Sequence, residues 1–294
     1  MNILSVLSKL GFGRSRRSAR LNNANIPSPM PDYSLILESE LEGRMTEFME
    51  GDYFSLFLQP VVELSTGRVC GGEILSRLNH PERGLIFPNV FLPVISRLEL
   101  QVPFDLYIFR KSCAWMSRSQ GLERISVNFS RKTLCRRELT RELAAIADRY
   151  GVAPGTVAIE ITESEKETDE KTFLRNLTEL KEAGFGVFLD DYGTGFTAIT
   201  DLQRLPLEIV KIDRSLLLNA EDSDEGTIIF RSLVEMAAKL GIDAVCEGIE
   251  TESQERIARD NGCRYAQGFR YYRPMNADDA LAAVARGSIS GDEG

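Results

Sequence analysis

The sequence predicts an α/β fold in which parallel strands alternate with helices, closed as a barrel or open as a sheet. Three observations carry this. Short aliphatic runs recur: Val69-Cys70-Gly71-Gly72-Glu73, Ile125-Ser126-Val127-Asn128, Val157-Ala158-Ile159-Glu160, Val187-Phe188-Leu189-Asp190-Asp191, Ile209-Val210-Lys211-Ile212-Asp213 and Ala244-Val245-Cys246-Glu247. Their composition is that of buried strands. Each ends on a carboxylate, an amide or a lysine, and most are followed by a turn and a helical pattern. Parallel strands place their ends on one rim, where such folds do chemistry. The chain is therefore expected to build one crowded acidic site from distant segments.

Taken in order, Met1 to Phe12 puts Ile3, Leu4, Leu7 and Leu10 on one helical face, with Arg14, Arg16, Arg17 and Arg20 behind it. A secretory signal would carry its charge before the apolar stretch. An amphipathic contact of residues 1–20 with an anionic membrane surface is one reading. A stray helix in a disordered tail is the plainer one. Residues 13–32 have linker composition, rich in Ser, Arg, Asn and Pro. A helix is expected from about Leu35 to Met49, stopped by Gly51. Phe54 to Leu64 reads as a strand, Ser65-Thr66-Gly67 as a tight turn and Arg68 to Leu78 as a second strand. So short a turn makes these two strands antiparallel, unlike the rest. Strand–helix units then follow at spacings of about 20 to 36 residues, and Ala280 to Ala285 lies in the last helix. The expected boundaries are a flexible tail at 1–34, one domain at 35–287 and a disordered tail at 288–294.

The bulk numbers agree. At 294 residues the chain suits one barrel, which typically takes about 250. A hydrophobic fraction of 43% supplies a core, and a net charge of −9 argues against a partner of duplex DNA or RNA. The five cysteines include no CxxC pair, so reduced cytoplasmic thiols are expected rather than zinc or a disulfide framework. His80, the sole histidine, falls in the loop-like Asn79-His80-Pro81-Glu82-Arg83-Gly84 and is expected at the surface.

The rim candidates are Glu73, Asn128, Glu160, Asp190, Asp191, Lys211 and Glu247. Five carboxylates in one pocket repel strongly unless their pKa values rise or cations neutralise them. Two divalent ions with Lys211 balance that charge. Oxygen ligands without His or Cys select hard ions such as Mg²⁺ or Mn²⁺. Asp190-Asp191 is the sharpest feature, because one carboxylate can bridge two ions while its neighbour holds the second. The alternative use of such a pair is to cap the next helix. In Tyr192-Gly193-Thr194-Gly195-Phe196, two glycines permit a tight loop able to act as a lid. An ordinary strand-to-helix turn is the simpler reading.

An ordered set of motifs then resembles a family. Glu73-Ile74-Leu75-Ser76-Arg77, Val127-Asn128-Phe129-Ser130, Glu160-Ile161-Thr162-Glu163, Asp190-Asp191-Tyr192-Gly193-Thr194-Gly195, Lys211-Ile212-Asp213, Glu247-Gly248-Ile249-Glu250 and Gln267-Gly268-Phe269 resemble the EAL-domain cyclic di-GMP phosphodiesterases. Gln59-Pro60 and the His80–Ile86 stretch are also similar. The resemblance spans about residues 50 to 275. It implies a modified (β/α)8 barrel of the TIM type with an antiparallel first strand. It implies hydrolysis of cyclic di-GMP to linear pGpG with two Mg²⁺ or Mn²⁺ ions. Glu73, Asn128, Glu160 and Asp190 would hold one ion, and Asp190, Asp191 and Glu247 the second. Lys211 would orient or deprotonate the attacking water, with Glu73 and Glu247 also in the catalytic set. Gln59, Arg77, Asp213, Glu250 and Gln267 would serve the substrate, and Glu163 would tether the Asp190–Phe196 loop. The resemblance also implies a homodimer formed near that loop. The expected location is cytoplasmic, with peripheral contact at the inner membrane face if residues 1–20 bind lipid.

The sequence departs from the family pattern at Ile74, Leu78, Tyr192, Phe196 and Thr197-Ala198, and none of these removes a ligand. Two other readings compete. A receptor would bind cyclic di-GMP or a protein partner without hydrolysis. A barrel with rim carboxylates and a lysine can instead abstract a proton beside a carboxylate, but the double Asp suits two metals better.

Overall fold

A computed structural model describes residues 41–286, apart from 42, 43, 46, 120, 163–168 and 194–198. The expected tails and the amphipathic start lie outside the described residues, as do Glu163 and the 194–198 part of the Asp190–Phe196 loop. Among the described residues no helix is long and apolar enough to cross a membrane. Residues 41, 44, 45 and 47–50 are helical, and a turn at Gly51 ends them as expected.

The first strand, β1 (Phe54–Glu63), alternates between buried and half-buried positions along its length. Phe54, Leu56, Leu58 and Val62 are its buried apolar set. The intervening residues Phe57, Gln59, Val61 and Glu63 face the other way, as a period of two requires. Glu63 O then accepts from Thr66 N and Gly67 N, closing the tight turn. The strand β2 (Val69–His80) runs back antiparallel, with Gln59 opposite Glu73.

Two expectations are corrected here. Glu73 lies in the middle of β2, not at its end, because β2 continues for seven residues past it. His80 is not a surface loop residue. It closes β2 against β3 (Gly84–Ile86) in a hairpin, pairs with Gly84 and is buried beside the Phe48 ring. The polar stretch after it is only the turn of that hairpin.

The remaining barrel strands are β4 (Arg124–Phe129), β5 (Val157–Thr162), β6 (Gly186–Tyr192), β7 (Ile209–Ile212), β8 (Asp243–Cys246) and β9 (Tyr265–Ala266). Around the ring, β2 pairs in parallel with β4 and each strand from β4 to β9 with the next, while β1 pairs antiparallel with both β2 and β9. The ring is thereby a closed eight-stranded barrel, with β3 and β10 (Met275–Asn276) at its margin. β9 has two residues, too short for a periodicity reading, so the run of aliphatic segments does not reveal it.

Helices cover the outside, and the starts of several are written in the sequence. Asp169, Ser223 and Thr251 cap the helices Glu170–Glu182, Asp224–Lys239 and Glu252–Asp260, the last with a full capping box to Gln254. The main core lies between these helices and the outer barrel face. Phe54, Phe91 and Phe104 meet edge to face at 5.0 to 5.9 Å. Trp115 Nε1 donates to Asp278 Oδ1 at 3.0 Å, tying the helix Gln101–Met116 to the closing helix Ala277–Arg286. A smaller apolar cluster of Ala158, Phe188, Ile209 and Val245, with Val61 and Tyr265, fills part of the barrel's inside.

Candidate metal and phosphodiester site

Strand alternation decides which residues share the barrel interior. Ala158, Phe188, Ile209, Val245 and Tyr265 form the inner apolar cluster. Two residues further on, the same faces present Glu160, Asp190, Lys211, Glu247 and Gln267. Glu73 and Asn128 join this layer from β2 and β4, since Asn128 Nδ2 donates to Glu73 Oε1 at 2.8 Å. The predicted rim residues are thus brought into one constellation.

Consecutive residues of a regular strand point to opposite faces, so Asp190 and Asp191 could not both face the site from one. The pairing of β6 with β7 shifts by one residue between Leu189 and Tyr192. Asp191 sits in the left-handed region at φ 55°. This bulge supplies the extra residue and re-aims the second carboxylate. Left-handed backbone at a non-glycine residue costs energy and is retained where the surrounding structure enforces it.

Lys211 stands at the centre, with 3% of its side chain exposed. Its Nζ lies 2.9 Å from Glu73 Oε2, 2.9 Å from Asp190 Oδ1 and 2.8 Å from Glu247 Oε1, and it also pairs with Glu160. Burial disfavours its charge, but these four carboxylates outweigh that and raise its pKa well above the ordinary lysine value. Burial likewise works against the Glu73 carboxylate. The Lys211 charge and hydrogen bonds from Lys211, Asn128 and Gln267 outweigh it and hold Glu73 below the usual range. At Glu160, burial and the charge of Glu73 win against Lys211, and the pKa is pushed well up. Burial pushes Glu247 up to about 8 against the pull of Lys211, with Asp190 and Glu73 adding to the rise. Burial, then the charges of Asp190 and Asp213, push Asp191 up to about 6. One ammonium therefore leaves the cluster short of positive charge.

The donor set fits divalent cations. Glu73, Glu160 and Asp190 offer oxygens within 4.8 Å of one another, and Asp190, Asp191 and Glu247 do the same, so Asp190 belongs to both triads. Glu160 Oε2 is buried without a hydrogen-bond partner among the described residues, and Asp190 Oδ1 has no aligned donor although Lys211 is close. A proton or a further cation relieves buried carboxylate oxygens left in this state. The ligands are all oxygen, as hard ions require.

The other predicted residues are placed as follows. Gln59 lies beside the layer, opposite Glu73. Gln267 is 2% exposed and donates to Glu73 Oε2 at 3.1 Å, so it orients that carboxylate. Asp213 caps the helix Arg214–Asp222 by accepting from Ser215 N at 2.9 Å, and its charge also reaches Asp191. Glu250 Oε2 accepts from Arg214 at 2.6 Å. Arg77 lies between the rings of Phe57 and Phe87, 5.2 and 5.1 Å from their centroids. Sequence reasoning missed these two aromatics. Phe57 was detectable in principle, because it stands two residues before Gln59 on the same strand face. Phe87, beyond β3, gives no such signal.

Residues 42–274 match the EAL domain family. The probable cyclic di-GMP phosphodiesterase PdeB of Escherichia coli is 32% identical over 241 residues, which is 81% of this chain and 46% of PdeB. The cyclic di-GMP phosphodiesterase NbdA of Pseudomonas aeruginosa is 30% identical over 271 residues, 90% of this chain and 34% of NbdA. The chain spans less than half the length of these curated relatives. The solved MucR phosphodiesterase of Pseudomonas aeruginosa, in complex with c-di-GMP, superposes with a TM-score of 0.74 at 30% identity. That match covers 82% of this chain and 99% of the MucR chain. The EAL enzyme Bd1971 matches in fold, with a TM-score of 0.78 at 23% identity over 85% of this chain and 70% of Bd1971. With the closed barrel and its acidic layer in place, the match over residues 42–274 assigns the chain to the EAL domain family.

Proposed function

We propose that this chain hydrolyses one phosphodiester bond of cyclic di-GMP, giving linear pGpG, with two Mg²⁺ or Mn²⁺ ions. The observation that carries the reading is the pair of carboxylate triads sharing Asp190, with Lys211 between them. The substrate is taken from relatives that bear the name cyclic di-GMP phosphodiesterase. Glu73, Asn128, Glu160 and Asp190 would hold one ion, and Asp190, Asp191 and Glu247 the other. Bound there, divalent ions supply Lewis-acid stabilisation of phosphoryl charge and an activated water at neutral pH.

The chain's own residues do the rest. Lys211 presents a fixed positive charge to the layer and orients the water as it approaches phosphorus. Gln267 and Asn128 fix Glu73, so that its carboxylate does not have to reorganise during the reaction. Arg77, braced by Phe57 and Phe87, offers a guanidinium suited to a phosphate.

The test is to incubate the pure protein with cyclic di-GMP and either Mg²⁺ or Mn²⁺ and to resolve the nucleotides, with Glu73→Ala as control. Formation of pGpG by the wild type alone is the expected result. Nucleotide binding without product under either metal overturns the reading and makes the protein a receptor.

A further inference from the structure

Beneath the acidic layer the barrel is underfilled. Interiors of this type are ordinarily closed by layers of bulky branched side chains. Here the layer below Glu73 and Asn128 carries Gly71 and Ser126. Gly71 has little choice: a Cβ there would lie 2.5 Å from the Arg124 carbonyl oxygen, so the close approach of β2 to β4 excludes a side chain. The result is a cavity of about 350 Å³, bounded above by Lys211 and Gln267 and reaching the opposite end of the barrel between Arg124 and Arg264.

Its chemistry is specific. Phe188, Ile209, Val245 and Tyr265 give it one apolar, partly aromatic wall, and Ser126 places a hydroxyl across from them. Gln267 spends its amide nitrogen on Glu73, while its Oε1 is buried with no donor among the described residues. A buried acceptor in that state costs free energy until a donor reaches it. At the mouth, Arg124 is paired with Glu208 and Arg264 with Asp243. Each guanidinium also lies over an aromatic ring of the wall, Arg124 over Phe188 and Arg264 over Tyr265. With both cations committed, an anionic ligand gains little there.

We propose that this cavity is a second binding site, for a neutral aromatic heterocycle carrying an N–H donor, of about the size of a fused five- and six-membered ring system. The ring lies against Phe188 and Tyr265, and its N–H donates to Gln267 Oε1. The volume falls at the lower end of the range of small-molecule pockets, which begins at roughly 300 Å³. The site lies beneath the acidic layer, shares only Lys211 and Gln267 with it, and does not depend on the hydrolytic reading.

Indole is the probe. It is titrated into the full chain with chelator present and nucleotide absent, by calorimetry and by broadening of its proton resonances. Saturable single-site binding and a raised melting temperature are expected. 1-Methylindole, which lacks the donor, should bind at least about tenfold more weakly. Ser126→Leu fills the cavity from β4 and should weaken indole by about tenfold or more. Val245→Phe fills it from β8, should one variant fail to fold. Saturating cyclic di-GMP should not displace indole, since the nucleotide enters from the other side of Lys211 and Gln267. Absence of saturation at millimolar indole, equal affinity for 1-methylindole, or displacement by the nucleotide each overturns the proposal. Undiminished binding in a folded, filled variant overturns it as well.

Discussion

Lys211 faces four carboxylates at once, and the charge of that arrangement does not balance. The surplus is relieved in part by protonation, which is the meaning of the raised pKa values at Glu160, Glu247 and Asp191. Divalent ions relieve it without protonation, and Asp190 is the residue common to both triads. Losing Asp190 therefore disturbs two ion sites, while losing Glu73 disturbs one and losing Lys211 removes a positioned charge. We predict that Glu73→Ala, Lys211→Ala and Asp190→Ala each lower turnover of cyclic di-GMP by at least about 100-fold, with Asp190→Ala the largest loss. Initial rates of pGpG formation at saturating Mg²⁺ measure this. Near-normal turnover in Asp190→Ala would remove the shared-ligand reading altogether.

At the scale of an element, the bulge in β6 is what makes two adjacent carboxylates useful, and it rests on the left-handed backbone of Asp191. Alanine in that conformation bears a steric penalty of roughly 1–2 kcal/mol that glycine escapes. Glycine loses back up to about 1 kcal/mol by loosening the unfolded chain. Both substitutions delete the carboxylate, so their difference isolates the backbone. We predict that Asp191→Gly is as stable as Asp191→Ala or more so, by up to about 1 kcal/mol, in urea titrations with chelator. A clearly more stable Asp191→Ala would mean that the left-handed turn is absent. The same strand shows how far a sequence can be read. The rim residues were legible because each closes or interrupts an aliphatic run, and the antiparallel β1–β2 pair because its turn is so short. The bulge was not, since a one-residue shift in pairing is a property of two strands and leaves no mark on one. Glu73 closes the aliphatic run that begins at Val69 but not the strand, which continues past it as the Arg68 to Leu78 reading has it. The cavity was invisible for a related reason: small residues signal space only once their neighbours around the barrel are known.

For the whole molecule, the acidic layer makes folding sensitive to pH and to metal together. Glu247 has a folded pKa of about 8 against an ordinary 4.5, and Asp191 about 6 against 3.8. Each binds its proton more tightly in the folded chain than in the unfolded one. Their stabilisation is thus complete below the ordinary carboxylate pKa and is lost as pH rises through about 6 and then about 8. Glu160 has the same sign. Glu73 has the opposite one, adding stability above its ordinary pKa and losing it only as pH falls through its lowered folded value. Lys211 stays charged across this window. In chelator, the melting temperature should therefore fall between about pH 5 and pH 8.5. Divalent ions need deprotonated ligands, so Mg²⁺ should rescue stability most at the alkaline end. At a hundredfold excess over its dissociation constant the gain is about 2.7 kcal/mol. Asp191→Asn removes one of the like charges without opening a cavity. At pH 8 the chelated variant should melt higher than the chelated wild type, and it should gain less from Mg²⁺. Four melting curves decide this: both proteins, each with chelator and with Mg²⁺. Equal Mg²⁺ shifts in the two proteins, or a chelated Asp191→Asn that melts lower than the chelated wild type, would show that repulsion among these carboxylates does not oppose folding.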